Sequence, residues 1–328
     1  MMIPPPWLAT LTTSEYLLTV YFLGLTCLAM IASIIRVTVT GREVGTRYRS
    51  ATVARLAVSA IASVSYVSIL VFFLTSYTAT PAGYLPNAQT VLTMALRYMD
   101  WSVTVPLLVI ELLTVCTLAG PKARRVRAIA ASSAFLMIFT GFLAMFGAGA
   151  NREDVRLVFL FGGLSCLFLA LTVIVTARAV YDSRVGLTQE SGSLLNREAM
   201  MLLSSWILYP IVVSLQIFAS GGQWTTTVQV GLCVVDLIVK IGFDGIVHRV
   251  AKLRTAEDVR AGFDIHPESI WISSVKQSDA GLAREVYLEQ AAVIHTQRPR
   301  PPATEAFADE TIAADPAVAG QRNDLDYL

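Results

Sequence analysis

The stretch GLCVVDLIVKIGFDGIVHR (231–249) decides the fold. It is apolar over nearly the length a bilayer-spanning helix needs, about 20 residues, yet Asp236 and Lys240 stand in its middle. The two are four apart and so share one helix face. A charge at mid-bilayer costs on the order of 2.5–3.5 kcal/mol even on insertion scales, and such residues usually line a functional interior. Two readings are open. One is a structural ion pair inside the membrane. The other is a lysine in an apolar pocket, able to condense with an aldehyde and form an imine, whose buried positive charge then needs an anion such as Asp236.

Working outward, six further apolar runs of spanning length precede this one. They lie at roughly 14–37, 51–76, 89–117, 124–147, 155–180 and 198–220, with 226–250 as the seventh. The whole chain agrees: 328 residues, 55% hydrophobic, 15% charged, mean hydropathy +0.60, which is too apolar for an ordinary soluble domain. A net charge of +1 gives no basic field for nucleic acid. Cys27, Cys116, Cys166 and Cys233 all fall in apolar runs, without metal-ligand spacing, and read as packing residues.

The connections carry the charge. GREVGTRYR (41–49), PKARRVR (121–127) and HRVAKLR (248–254) are basic, whereas 77–90 and 219–226 hold no charged residue. Lys and Arg favour cytoplasmic loops, so the N-terminus is expected outside and the C-terminus inside. MMIPPPWLATLTTSEY (1–16) has no basic n-region or small-residue cleavage site, so the first span is expected to be retained. The predicted division is a seven-helix domain over 1–254 and a cytoplasmic tail over 255–328. The tail is read as largely disordered, with one short amphipathic helix near 279–295.

Five ionisable residues lie well inside the spans: Arg55, Asp100, Glu111, Asp236 and Lys240. Arg97 and Asp244 lie at intermediate depth. Span three, ALRYMDWSVTVPLLVIELL (95–113), sets Asp100, Thr104 and Glu111 at i, i+4 and i+11, within one narrow sector of a helix. Asp100 and Glu111 are about 16 Å apart along the axis. Residue type alone leaves a proton or ion path and structural polar packing level.

RYMDWSVTVPLL (97–108) followed by a carboxylate resembles the third helix of microbial rhodopsins. DLIVK (236–240) resembles their seventh helix, WILYP (206–210) their sixth and LMIFTG (136–141) their fourth. The order agrees, and the resemblance covers about residues 10–252 and excludes the tail. It implies an all-α, seven-transmembrane-helix bundle carrying all-trans-retinal in a prokaryotic plasma membrane. Lys240 would form the retinal Schiff base. Asp100 would be the primary counterion and proton acceptor, and Asp236 the second counterion. Arg97 would organise charge on the outer side, and Thr104 would hydrogen-bond Asp100. Trp101 and Trp206 would sandwich the polyene, Tyr66 and Tyr209 would donate toward Asp236, Pro210 would kink helix six, and Met137 and Gly141 would pack around the chromophore. For the apolar and aromatic members the plain alternative is core packing.

The Asp100–Thr104–Glu111 triplet resembles the proteorhodopsin and xanthorhodopsin pattern of outward proton pumps, in which Glu111 would be the cytoplasmic proton donor. Gly162, in FGGLS (161–165), resembles the glycine that opens a window for a carotenoid antenna in some xanthorhodopsins; close helix packing is the other reading. Val228 stands where archaeal pumps carry an outer glutamate, and Val213 where an aromatic residue is frequent.

Span two departs from an ordinary pump. Arg55, Ser59, Ser63 and Tyr66 lie on one helix face, and Arg55 falls about 16 Å to the cytoplasmic side of Tyr66. That is the depth of Glu111, with Asp244 one turn inward of Lys240. Arginine stays charged, so a pairing with Arg55 would leave Glu111 ionised in the dark and a poor donor. Snorkelling of Arg55 to the interface is the alternative. A buried arginine beside such a triplet looks like the cryorhodopsin subgroup, which implies a slow, proton-translocating photoreceptor; the alternative is a fast outward pump. No enzyme is expected: there is no nucleophile triad, and His248, His266 and His295 are read as surface residues. The expected partners are the lipid bilayer, further copies of the chain (a trimer or pentamer), and a cytoplasmic signalling partner at the tail.

Overall fold

In the computed structural model the described residues are 6–147, 155–218, 221–264, 266, 270–272 and 275–278. Residues 1–251 form one compact unit and 252–328 belong to a second. The first is a seven-helix bundle. Its helices are α1 (Thr13–Thr40), α2 (Arg49–Ser76), α3 (Val91–Thr114), α4 (Gly120–Phe142), α5 (Val155–Ser183), α6 (Gln189–Phe218) and α7 (Gly222–Leu237). A π-helical turn, Ile238–Gly242, joins α7 to α8 (Phe243–Arg260). Four helical stretches, over α1, α2, α4 and α5, are by length and composition alone apolar enough to cross a membrane. The remaining three, α3, α6 and α7 with its π turn, bury Arg97, Asp100, Glu111, Glu198, Asp236 and Lys240.

Burial runs opposite to that of a soluble bundle. Leu28, Ile35, Val64, Phe159 and Leu167 are each more than 60% exposed, while the largest fully buried side chains include Arg55, Arg97 and Lys240. An apolar exterior is what lipid requires, and polar side chains must then find their partners inside. Two apolar clusters flank the polar interior. One holds Leu108, Leu112, Ala134, Leu202, Trp206 and Val239; the other gathers Leu23, Met30, Ala62, Ile69, Phe73 and Cys233.

At one end of the bundle a hairpin links α2 to α3. Strand β1 (Tyr77–Thr80) pairs antiparallel with β2 (Gly83–Pro86). Leu11 and Tyr84 exchange backbone hydrogen bonds of 3.0 and 2.8 Å, which draws the N-terminal segment onto the hairpin. Gly83 has φ +122°, and a Cβ there would sit 2.5 Å from the Leu11 carbonyl oxygen, so only glycine serves. The start of α1 is fixed by a capping box: Thr12 accepts from the Glu15 amide, and Glu15 accepts from the Thr12 amide. Thr12→Ala is expected to cost about 1 kcal/mol, read as a lowered midpoint in detergent-solubilised thermal unfolding.

In the second unit, ordered structure goes further than the sequence suggested. The α8 helix continues to Arg260, and β3 (Ile270–Ile272) pairs antiparallel with β4 (Val275–Ser278), with Ile270 buried against Ala256. Ile, Trp and Val supply the β-forming character that a count of Pro, Ala and acidic residues hides. The amphipathic helix expected near 279–295 lies outside the described residues, as do His295, the side chain of Pro210 and that of Val213.

Candidate functional site

Lys240 sits within the π turn of the seventh helix, its side chain 2% exposed. Single π turns inside α-helices occur frequently at functional sites. The Lys240 ammonium donates to Asp100 Oδ2 on α3 and, at 3.1 Å, to Asp236 Oδ2 one turn earlier in its own chain. Asp236 is held from three further sides: by the Tyr66 hydroxyl at 2.8 Å, the Tyr209 hydroxyl at 2.6 Å and the Trp101 indole N–H at 3.2 Å. Asp100 is less committed, for its Oδ1 is buried and accepts no hydrogen bond.

Arg97 closes the group on one side. Its Nη1 donates to the Tyr66 hydroxyl at 2.9 Å, and its Nη2 to Gln229 Oε1 at 2.9 Å and Cys233 Sγ at 3.6 Å. It makes no direct ion pair with Asp100 or Asp236, and reaches Asp236 through Tyr66. Lys240 and Arg97 balance Asp100 and Asp236, two positive charges against two negative. Such a fully matched set is how charge becomes tolerable at this depth.

The two tryptophans expected at the pocket are both buried. Trp101 and Trp206 are 4% and 3% exposed, and the Trp101 and Tyr209 rings meet edge-on at 5.0 Å. The Trp206 indole N–H is buried without a partner. Met137 is buried, and a Cβ on Gly141 would meet Ser165 Oγ at 3.3 Å and Tyr98 at 3.6 Å. Gly162 differs: an added Cβ would meet nothing within 4 Å, so tight packing does not explain the glycine there.

Thr104 hydrogen-bonds Asp100, through the main chain. Its hydroxyl donates at 2.9 Å to the backbone carbonyl of Asp100, not to the carboxylate. The i→i−4 bond inside the helix competes successfully for a threonine hydroxyl.

A second charge group lies on the other side of Lys240. Arg55 is buried and forks onto Asp244, through Nε to Oδ1 and Nη2 to Oδ2 at 3.2 Å. Arg36 of α1 reaches the same carboxylate. Glu111 stands 3.9 Å from Arg55 Nε without a hydrogen bond to either of its oxygens. Arg55, Asp244 and Glu111 therefore do meet, but Asp244 is the closer partner of Arg55 and Glu111 only a neighbour. Snorkelling to an interface is ruled out by the 1% exposure of the Arg55 side chain.

Two members were missed in the sequence. His248 is no surface residue: its ring contacts Arg55 Nη1 at 2.8 Å and Glu43 Oε2 at 2.9 Å. His266, also read as surface, is 4% exposed. Glu198 on α6 is fully buried, has no hydrogen bond to either oxygen, and interacts electrostatically with Arg55 and Glu111.

The family model described as bacteriorhodopsin-like protein matches residues 17–253. Sensory rhodopsin-2 of Natronomonas pharaonis is 28% identical over 242 residues, covering 74% of this chain and 92% of that protein. Bacteriorhodopsin-I of Haloquadratum walsbyi is 31% identical over 196 residues, covering 58% and 70%. The solved structure of xanthorhodopsin, described as a light-driven ion pump with dual chromophore, matches at TM-score 0.70 and 25% identity over 77% of this chain and 99% of that one.

Proposed function

The chain belongs to the bacteriorhodopsin-like family, the microbial rhodopsins, and on that premise we propose that it is a proton-translocating photoreceptor that returns slowly to its dark state. Members of the family are multi-pass membrane proteins, light-driven pumps or sensors rather than classical enzymes, that bind retinal covalently through a lysine. In this chain that lysine is Lys240. The surroundings suit the group: the amine is buried, Trp101 shares Asp236 with it, and Asp100 Oδ1 and the buried Trp206 Nε1 are left without partners by the protein itself. Retinal on Lys240 supplies the absorption of light and a change of shape at the lysine nitrogen.

The chain's own residues then divide the proton work. Asp236 accepts from Tyr66, Tyr209, Trp101 and Lys240, so its oxygens are committed to donors and it holds its negative charge. Asp100 has an uncommitted oxygen beside the same nitrogen and takes the proton. Arg97 balances the outer side through Tyr66 and Gln229. Asp100, once protonated, no longer draws the Lys240 nitrogen, and a proton must reach that nitrogen from the Glu111 side.

The observation that carries the slow return is Arg55, a buried permanent cation 3.9 Å from Glu111. A fixed cation this close to a carboxyl group ties any change in that group's charge to the Arg55–Asp244 pair, and a proton transfer that must disturb that pair is slow. On the topology expected from the basic connections, this group faces the cytoplasm. Arg55→Ala is expected to speed recovery at least about tenfold, a barrier change of about 1.4 kcal/mol, read by flash photolysis of the reconstituted protein. Equal recovery in the two proteins would sink the reading. The variant keeps Arg36 on Asp244.

A fast outward pump is the second reading, favoured by the fork between Arg55 and Asp244, which already matches the arginine's charge. Light-driven acidification of a cell suspension, with and without protonophore, separates the two. Sustained acidification with millisecond recovery supports the pump. The open face at Gly162 supports a carotenoid as an accessory chromophore. A signalling partner at the tail belongs to the photoreceptor reading, and assembly as a trimer or pentamer accompanies either.

A further inference from the structure

Glu198 has no part in the mechanism above, yet its burial demands an explanation. A carboxyl group cut off from water without a hydrogen bond is costly, several kcal/mol if charged and on the order of 1–3 kcal/mol if neutral. Proteins keep such groups mainly where they do something. The face of α6 that carries Glu198 also carries Leu195, Leu202, Ser205 and Trp206, all buried, so the carboxyl points into the bundle rather than toward lipid. It lies about 12 Å along α6 from Trp206, on the side away from Tyr209. Glu111 lies about 15 Å along α3 from Trp101, in the same half of the bundle.

Charge accounting singles out the same two residues. Arg55 is matched by the fork with Asp244, which also receives Arg36. The partly exposed Glu43 meets the His248 ring, whose other nitrogen faces Arg55. That leaves Glu111 and Glu198, four carboxyl oxygens without a hydrogen bond, interacting with each other through the low-dielectric interior. Two such groups bind and lose protons as a pair, not singly. They also stand on different helices, α3 and α6, so any light-driven displacement of α6 changes their separation.

We propose that Glu198 is a second proton-holding residue of the return path, passing a proton to Glu111 and receiving one from the Arg55 side of the bundle. The step is a proton transfer between carboxyl groups: the O–H bond at Glu198 breaks as one forms at Glu111, and Glu198 is left as the carboxylate until it is reloaded. The inference deepens the proposed photocycle and rests on Lys240 being reprotonated from the Glu111 side.

The test uses the full chain with retinal in lipid vesicles. Glu198→Gln keeps the shape and removes the exchangeable acid. Recovery is expected to slow at least about tenfold, the low end of what a positioned proton donor contributes being larger still. The light-minus-dark infrared spectrum is expected to lose one carboxyl C=O change. Glu111→Gln should slow recovery too, and the double variant should be no slower than the slower single, as for two steps in series. Recovery within twofold of wild type, or slower recovery with every carboxyl band intact, would overturn the proposal. If Glu198→Gln fails to form pigment, Glu198→Asp serves: a retained but shifted carboxyl band with intermediate recovery supports the relay, and unchanged bands and kinetics overturn it. Failure here stays distinct from failure of the photocycle reading, which turns on Arg55→Ala.

Discussion

Replacing Lys240 with alanine is expected to abolish the visible pigment and weaken the fold in one stroke. The amine is the only lysine nitrogen among the described residues that sits between two buried carboxylates. Removing it deletes the group that would join retinal. It also leaves Asp100 and Asp236 facing Arg97 alone, and breaking a buried charge set by deleting one member costs about 3–5 kcal/mol. Lys240→Arg separates the two effects, since a guanidinium keeps the charge but cannot condense with an aldehyde. The arginine variant should unfold nearer to wild type and still show no visible band after retinal is added. A coloured Lys240→Ala protein would refute the assignment.

Asp100→Asn carries the next largest effect. The proton acceptor is gone, so light-driven proton transfer should fall by at least about a hundredfold, the usual contribution of a positioned base. The dark band should move to longer wavelength, because an anion beside the positive nitrogen stabilises the ground state more than the excited state, in which that charge has moved away. Asp236→Asn should behave differently. Transfer to Asp100 should survive, while Tyr66, Tyr209 and Trp101 lose their charged acceptor and the dark protein becomes less stable. Transient absorption and thermal bleaching of both variants check the asymmetry. Identical behaviour would mean that the unequal hydrogen bonding of the two carboxylates is without consequence.

The seven spans were legible because lipid leaves so few options: runs of spanning length must be helices. The central charges were legible for the same reason, as Asp100, Asp236, Lys240 and Arg55 stand out against apolar surroundings. Glu198 was not. Its apolar run begins at that residue and Arg197 precedes it, so it reads as an interfacial charge at a helix start. In fact α6 starts at Gln189, more than two turns earlier, and Glu198 lies inside. His248 was hidden by the basic run around it, and its partners Arg55 and Glu43 are 193 and 205 residues away. Gln229 offered a signal that went unused: it precedes Asp236 by seven residues, two helical turns, and so shares its face. For Thr104 the spacing points to Asp100 as the partner but not to which oxygen accepts, since backbone carbonyl and carboxylate both lie within reach of its hydroxyl.

The junction at Asp244 has a mechanical consequence. Through Arg36 and Arg55 it fastens α1, α2 and the last span together at one end of the bundle. Among the described residues, α6 makes no ion pair with another helix. The bundle is thus clasped by ion pairs along one wall, while α6 is tied to α7 by the Tyr209 hydroxyl on Asp236. A push delivered at Lys240 meets ion pairs toward α1 and α2 and, toward α6, only the neutral contacts of Trp206 and the single hydroxyl of Tyr209.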